Sequence, residues 1–267
     1  MFNPLSSIVS VLDLLSKEIK ILPAVGGAIE ELQHPDQEEI EDKLLDKDIR
    51  EISEFAEEPQ PDPDNLYKPT PPIYRSEKHL FRFFIDGSIR TYFLGTGIEG
   101  DRSFPIELAQ VGAAVIYRDD KGDLKIFDHK HKILLLLPKQ AGEGVSDTVW
   151  SRLQKIEKPD FFEIVDFTLP DVLSEAKKDP RDKAGAKARS IMHKLEIELI
   201  KSTDELRNEN SWLILDGSVK FVEEDIWSSW RSKPGPYVIG VAKSFRKYPL
   251  FYLGQGKKPK AKKLDIT

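Results

Sequence analysis

The sequence predicts an α/β protein: a mixed sheet flanked by helices, with a helical, acidic N-terminal extension in front of it. Three observations carry this. Apolar runs of strand length crowd residues 80–137, a long stretch of helical period follows at Asp182 to Leu206, and another strand-like run, Trp212 to Asp216, comes straight after it. The tripeptide Asp-Gly-Ser occurs twice, each time behind an apolar run, in Phe83-Phe84-Ile85-Asp86-Gly87-Ser88 and Leu213-Ile214-Leu215-Asp216-Gly217-Ser218. Charge is segregated, with 15 acidic against 3 basic residues from Glu30 to Asp64, and 10 basic against the single acidic Asp265 from Ile226 to Thr267.

Taken in order, Leu5 to Ile21 carries Leu5, Ile8, Val9, Leu12, Leu15 and Ile19 at helical spacing, which reads as a packing face. Pro23 and Gly26-Gly27 end it. The acidic stretch from Glu30 to Glu58 keeps Ile40, Leu44, Leu45, Ile49, Ile52 and Phe55 at helical intervals and reads as an exposed, charged helix. Six prolines between Pro59 and Pro72 then make a stiff linker. The expected division is therefore 1–74 as helical acidic region and linker, 75–255 as the main domain, and 256–267 as a basic tail.

Within the main domain, Leu80 to Asp86 and Ile89 to Leu94 read as two strands joined tightly at the first Asp-Gly-Ser. Ile106 to Arg118 is a third strand. Asp123 to Phe127 and Ile133 to Leu137 are two short ones, joined through Asp128-His129-Lys130-His131. Asp147 to Ile156 looks helical, and Phe161 to Phe167 fits either strand or helix. Asp182 to Leu206 is the main helix, with Ala184, Ala188, Ile191, Met192, Leu195, Leu199 and Leu206 at the helical period. A helix at Glu223 to Trp230 and a strand at Tyr237 to Ala242 follow the Trp212 to Asp216 strand.

Composition bounds the function. In 267 residues, 39% are apolar and 32% charged, and the longest apolar run, Ile133 to Leu137, is too short to span a bilayer. No basic segment precedes an apolar core at the start, so no secretory signal is read. The sequence has no cysteine, which excludes disulfides and thiolate metal sites and fits a reducing cytoplasm. No Walker loop is present, so ATP hydrolysis is not expected. The net charge of −6 does not argue against nucleic acid, because the basic C-terminal segment is a local footprint.

The chemistry rests on carboxylates. Asp86 and Asp216, each expected at a strand end, suit one divalent cation with oxygen ligands, Mg²⁺ or Mn²⁺. Either Asp-Gly alone is also an ordinary turn signal, and the doubling behind two strand-like runs is what argues for a site. The main helix offers a third carboxylate. Glu196 shares a face with Arg189 and His193, whereas Glu198 points elsewhere. Glu107 is a weaker extra ligand. His129 and His131 alternate and so face the same way in a strand, or are turn residues. Trp227 and Trp230, next to Arg231 and Lys233, fit base stacking or a packed helix face.

The order of these motifs resembles the NurA nuclease family: Ile85-Asp86-Gly87-Ser88, then Ile191-Met192-His193-Lys194-Leu195-Glu196 on a helix, then Leu213 to Ser218, then Ile239-Gly240-Val241-Ala242-Lys243-Ser244. The resemblance covers roughly Leu80 to Pro249. It implies an RNase H-like core and manganese-dependent hydrolysis of DNA alongside a hexameric HerA-type ATPase, in end resection, repair or defence against phage. It implies a homodimer as well. Asp86, Asp216 and Glu196 would be the catalytic metal ligands, with Glu198 the second choice. Lys243, with Arg246 and Lys247 beside it, would meet DNA phosphates, although a lysine near carboxylates is equally a structural ion-pair partner. Family members close the site with a further residue, often a histidine, beyond the Gly-Val-Lys strand, and no histidine follows His193 here. Three options stand: His129 or His131 completes the site, another protein does, or the chain is a non-catalytic DNA-binding or regulatory subunit.

Overall fold

The structure is a computed structural model, and it describes residues 4–25, 29–30, 79–139, 144–168, 179–217, 237–241, 250–253 and 260–263. The chain divides into two compact units, Met1–Leu32 with His79–Val241, and Gln33–Lys78 with Ala242–Thr267.

The first unit is built on one eight-stranded mixed sheet. Helix α1 (Pro4–Glu18) leads into strand β1 (Lys20–Pro23) and the short β2 (Ile29–Glu30). Three long strands, β3 (Phe81–Glu99), β4 (Arg102–Arg118) and β5 (Leu124–Leu137), form an antiparallel meander. Helix α2 (Asp147–Gln154) and β6 (Phe162–Asp166) follow, then helix α3 (Pro180–Ser202), β7 (Trp212–Asp216) and β8 (Val238–Val241). The order across the sheet is β6-β5-β4-β3-β7-β8, with β7 parallel to β3 and to β8, and β6 parallel to β5.

Two of the expected strand breaks are absent. The chain runs straight through the first Asp-Gly-Ser as part of β3, where Asp86, Gly87 and Ser88 pair in regular register with Ala114, Ala113 and Gly112. The pairing partner, not the dipeptide, decides, because the β4 ladder satisfies the backbone groups on that side of the strand. The two short strands around His129 and His131 are likewise one strand, β5, with a bulge opposite Val115 and Ile116. Phe162–Asp166 resolves as strand.

Helix α3 is specified at both levels. Asp179 caps it by accepting from the Arg181 N–H at 2.9 Å, Pro180 opens it, and Lys201 lies in the last turn against the dipole. Its apolar stripe of Ala184, Ala188, Met192, Leu195 and Leu199 packs on one face of the sheet, against Phe83, Ile85, Val111, Leu134, Leu213 and Leu215. The other face is covered at one end by α1 and α2, whose Val11, Leu15, Val149 and Leu153 bury against Phe104, Ile106, Leu135 and Leu137.

Division by composition groups residues 1–74 together, yet α1 and β1 are built into the unit that holds the sheet. β1 pairs with Gly95–Ile98 of β3, and β2 pairs with Thr91 and Tyr92. Most of the acidic helix expected over Glu30 to Glu58, the proline linker and the helix expected at Glu223 to Trp230 lie outside the described residues. In the second unit, β9 (Leu250–Leu253) and β10 (Lys260–Lys263) form an antiparallel pair, so part of the expected basic tail is strand.

Candidate metal and nucleic-acid site

The sheet brings the two Asp-Gly-Ser motifs side by side. β3 and β7 are parallel neighbours in a register that ends at Ile85 opposite Leu215, so Asp86 and Asp216 are the next residues on adjacent strands. Strands of one sheet lie about 4.8 Å apart. Asp216 is the last residue of β7, and Gly217 turns the chain away with φ +113, a conformation that favours glycine. The expectation of a strand end thus holds for Asp216 and fails for Asp86, which lies within β3.

On this edge of β3, the partner changes. Phe81–Ile85 pairs with β7, whereas Thr91–Tyr92 and Gly95–Ile98 pair with β2 and β1. Asp86 to Arg90 lies in the interval beyond the C-terminal end of β7, where no described strand pairs with this edge. Such points, where parallel strands end and neighbours diverge, are where open α/β sheets hold ligands.

Faces follow from alternation. Ile85 belongs to the core under α3, and Gly87 faces the same way, so Asp86 faces the opposite side, where it is exposed. Asp216 alternates with the buried Leu215 and also looks away from α3. Glu196 comes from the α3 side. It is 5% exposed, and a Cβ built on Gly87 would fall 2.5 Å from its Oε1. The absent side chain at position 87 is the space that the carboxylate fills. The other oxygen, Oε2, lies 2.8 Å from His193 Nδ1, one turn earlier on α3. Arg189, a further turn back on this face, is half-buried, and burial pushes its guanidinium pKa down.

The remaining candidates separate. Glu198 is half-exposed and pairs with Lys130 of β5 at 2.6 Å, on a different side of α3 from Glu196. Glu107 lies opposite Phe93, seven positions along β3 from Asp86, roughly 24 Å away at strand rise. It does not belong to this site. It is fully buried, neither carboxylate oxygen has a hydrogen-bond partner, and burial, then the charges of Asp179 and Asp182, raise its pKa to about 8. His129 and His131 are exposed on the same face as Asp86. Lys243, Arg246 and Lys247 lie outside the described residues, and Val241, the residue opposite Asp216, is the last described position before them.

Among the described residues, no three histidine, aspartate or glutamate side chains are grouped so as to hold a metal ion together. What the fold does bring near one another along β3 are three carboxylates, Asp86 on one face of the sheet, Glu196 against Gly87 on the other, and Asp216 at the end of the adjacent strand. Hard oxygen donors of this kind fit Mg²⁺ or Mn²⁺. A cleft lined by Arg82, Tyr117, Phe127, Leu206 and Asn208 lies toward the N-terminal ends of β3 and β7, away from these carboxylates. Among the described residues, no helix is long and apolar enough to cross a membrane.

Sequence reasoning missed what Gly87 does. It reads as a turn former, whereas its role is to let a helix carboxylate approach the strand. The signal was present as the helical spacing of His193 and Glu196 on a face next to a Gly-containing strand, but only the register shows that the two meet. No protein family, curated protein or solved structure matches the chain.

Proposed function

We propose that the chain is a metal-dependent nuclease of NurA type, with an RNase H-like core, that hydrolyses DNA phosphodiester bonds. One observation carries the reading: Glu196, a buried carboxylate on α3, is seated against Gly87, between Asp86 and Ser88, in the strand next to Asp216. A meander extended across a helix by parallel strands is the arrangement such a core calls for, and the sheet order supports it. Asp86, Asp216 and Glu196 would hold Mn²⁺ or Mg²⁺, which when bound lowers the pKa of a coordinated water and offsets charge on the leaving oxygen.

The chain's own residues then have separable tasks. His193 holds Glu196 by the Nδ1 contact and so fixes the direction of one ligand. Gly87 keeps the approach open. Lys243, Arg246 and Lys247 supply phosphate contacts from the segment after β8. Association with a HerA-type ATPase, a homodimeric state and a cytoplasmic setting belong to the same reading and rest on the motif resemblance.

The test is cleavage of end-labelled linear single- and double-stranded DNA with Mn²⁺, alone and with a HerA-type ATPase. Wild type is expected to degrade DNA, and Asp86→Asn, Asp216→Asn and Glu196→Gln to lose more than about 100-fold, because ligand loss should exceed the 10–100-fold seen for outer partners. No cleavage by wild type, with DNA binding intact, would leave the non-catalytic DNA-binding subunit in its place.

A further inference from the structure

Asp86 belongs to a row that crosses three strands. It pairs with Ala114 of β4, and Ala114 pairs with His129 of β5. The next row on that face runs Ser88, Gly112, His131. Directly opposed residues share a face, so both rows look away from α3. Asp86, Ser88, His129 and His131 are exposed, and Gly112 and Ala114 between them carry almost no side chain. The rows therefore form a trough two strand spacings wide, about 10 Å.

Its walls differ. One holds the Asp86 carboxylate. The other holds a series of rings: the His129 and His131 centroids are 6.4 Å apart with planes 8° from parallel, and His131 stacks on Phe161 at 5.9 Å and 27°. Arg90, exposed one row further along the same face, adds a cation next to the Asp86 wall. The Arg90 cation on one side and flat rings on the other match the two chemistries of a single nucleic-acid strand. Its backbone is anionic, and its unpaired bases stack on aromatic faces without regard to sequence.

We infer that this trough takes one unpaired nucleic-acid strand, with a phosphate at Arg90 and the neighbouring bases on the His129–His131–Phe161 rings. The inference rests on Asp86 being part of the proposed site, and it adds a substrate preference, single over double strand, with His129 and His131 as its positioning residues. The stack runs along β5, so it would hold the strand lengthwise next to the proposed site and not across it.

The test uses the full chain and a fluorescently labelled oligothymidine, with anisotropy read in EDTA so that no cleavage intervenes. The double variant His129→Ala/His131→Ala is expected to bind roughly 10-fold more weakly or worse, and His129→Phe/His131→Phe to recover most of the affinity, since a ring suffices for stacking. Both pairs are at exposed positions, so unchanged thermal midpoints would verify folding. A blunt duplex should bind the wild type and both variants alike. Equal oligothymidine affinity in wild type and the alanine pair overturns the inference, as does a loss that phenylalanine does not recover. A parallel Mn²⁺ cleavage assay keeps the two readings apart. Ring-dependent binding without cleavage removes the nuclease proposal alone, and cleavage with ring-independent binding removes only this one.

Discussion

Glu107 shows how far one residue departs from its composition. The sequence offers Glu107 only as a weak extra ligand, yet it is fully enclosed and its oxygens have no hydrogen-bond partner. Burial and two nearby aspartates raise its pKa to about 8 from 4.5. Between those values the native state keeps a proton that the unfolded chain has lost. Stability from this group therefore falls as pH rises from about 5 to about 8, and the full loss is present above that, on the order of 5 kcal/mol. Glu107→Gln removes the titration. Urea midpoints measured at pH 5 and pH 8 should drop clearly for wild type and much less for the variant. A sequence pattern cannot reveal this, because burial at position 107 depends on α3 starting above it, a contact made across many residues. Glu198 is the opposite case, since its place on a different side of α3 from Glu196 followed from helical period, and the structure gives it a surface partner in Lys130.

Among the elements, α3 was legible and β3 was not. The apolar stripe of α3 repeats at the helical period and its cap residues stand in the sequence, so local chemistry and tertiary packing agree. In β3, local chemistry and pairing disagree. Asp-Gly-Ser favours a turn, but the strand pairs with β4 from Phe83 through Glu99, and that ladder overrides the dipeptide. Gly87 then has its use in packing between elements. A methyl group there would meet Glu196 Oε1 at 2.5 Å and Met192 Sδ at 2.9 Å, both ends of flexible side chains. Gly87→Ala is expected to fold with a loss of about 1–3 kcal/mol. It should displace the Glu196 carboxylate, so single-turnover Mn²⁺ cleavage should fall by about 10-fold or more. Cleavage at the wild-type rate in a folded Gly87→Ala protein would mean that the approach of α3 to β3 has no part in the site. The N-terminal helix follows the same logic as α3. Its stripe of Ile8, Leu12, Leu15 and Ile19 reads as a packing face, and only the fold says which surface it packs on.

At the scale of the whole molecule, topology does what no local signal states. The two Asp-Gly-Ser copies are separated by 130 positions, counted from Asp86 to Asp216, and become neighbours because β7 returns alongside β3. The doubled motif and the intervening helix hinted at this, whereas the change of partner along β3, from β7 to β2 and β1, was invisible until β1 and β2 were placed. That change leaves Asp86 to Arg90 between partners on this edge, beside the end of β7, and this is where the proposed metal site lies. The most direct test is a Mn²⁺ titration of the full chain followed by electron paramagnetic resonance, comparing wild type with Asp86→Asn, Asp216→Asn and Glu196→Gln. A saturable site in wild type that each of the three substitutions weakens is the expected result. Equal Mn²⁺ binding by wild type and all three variants, or none by any of them, would contradict a shared metal site at these residues.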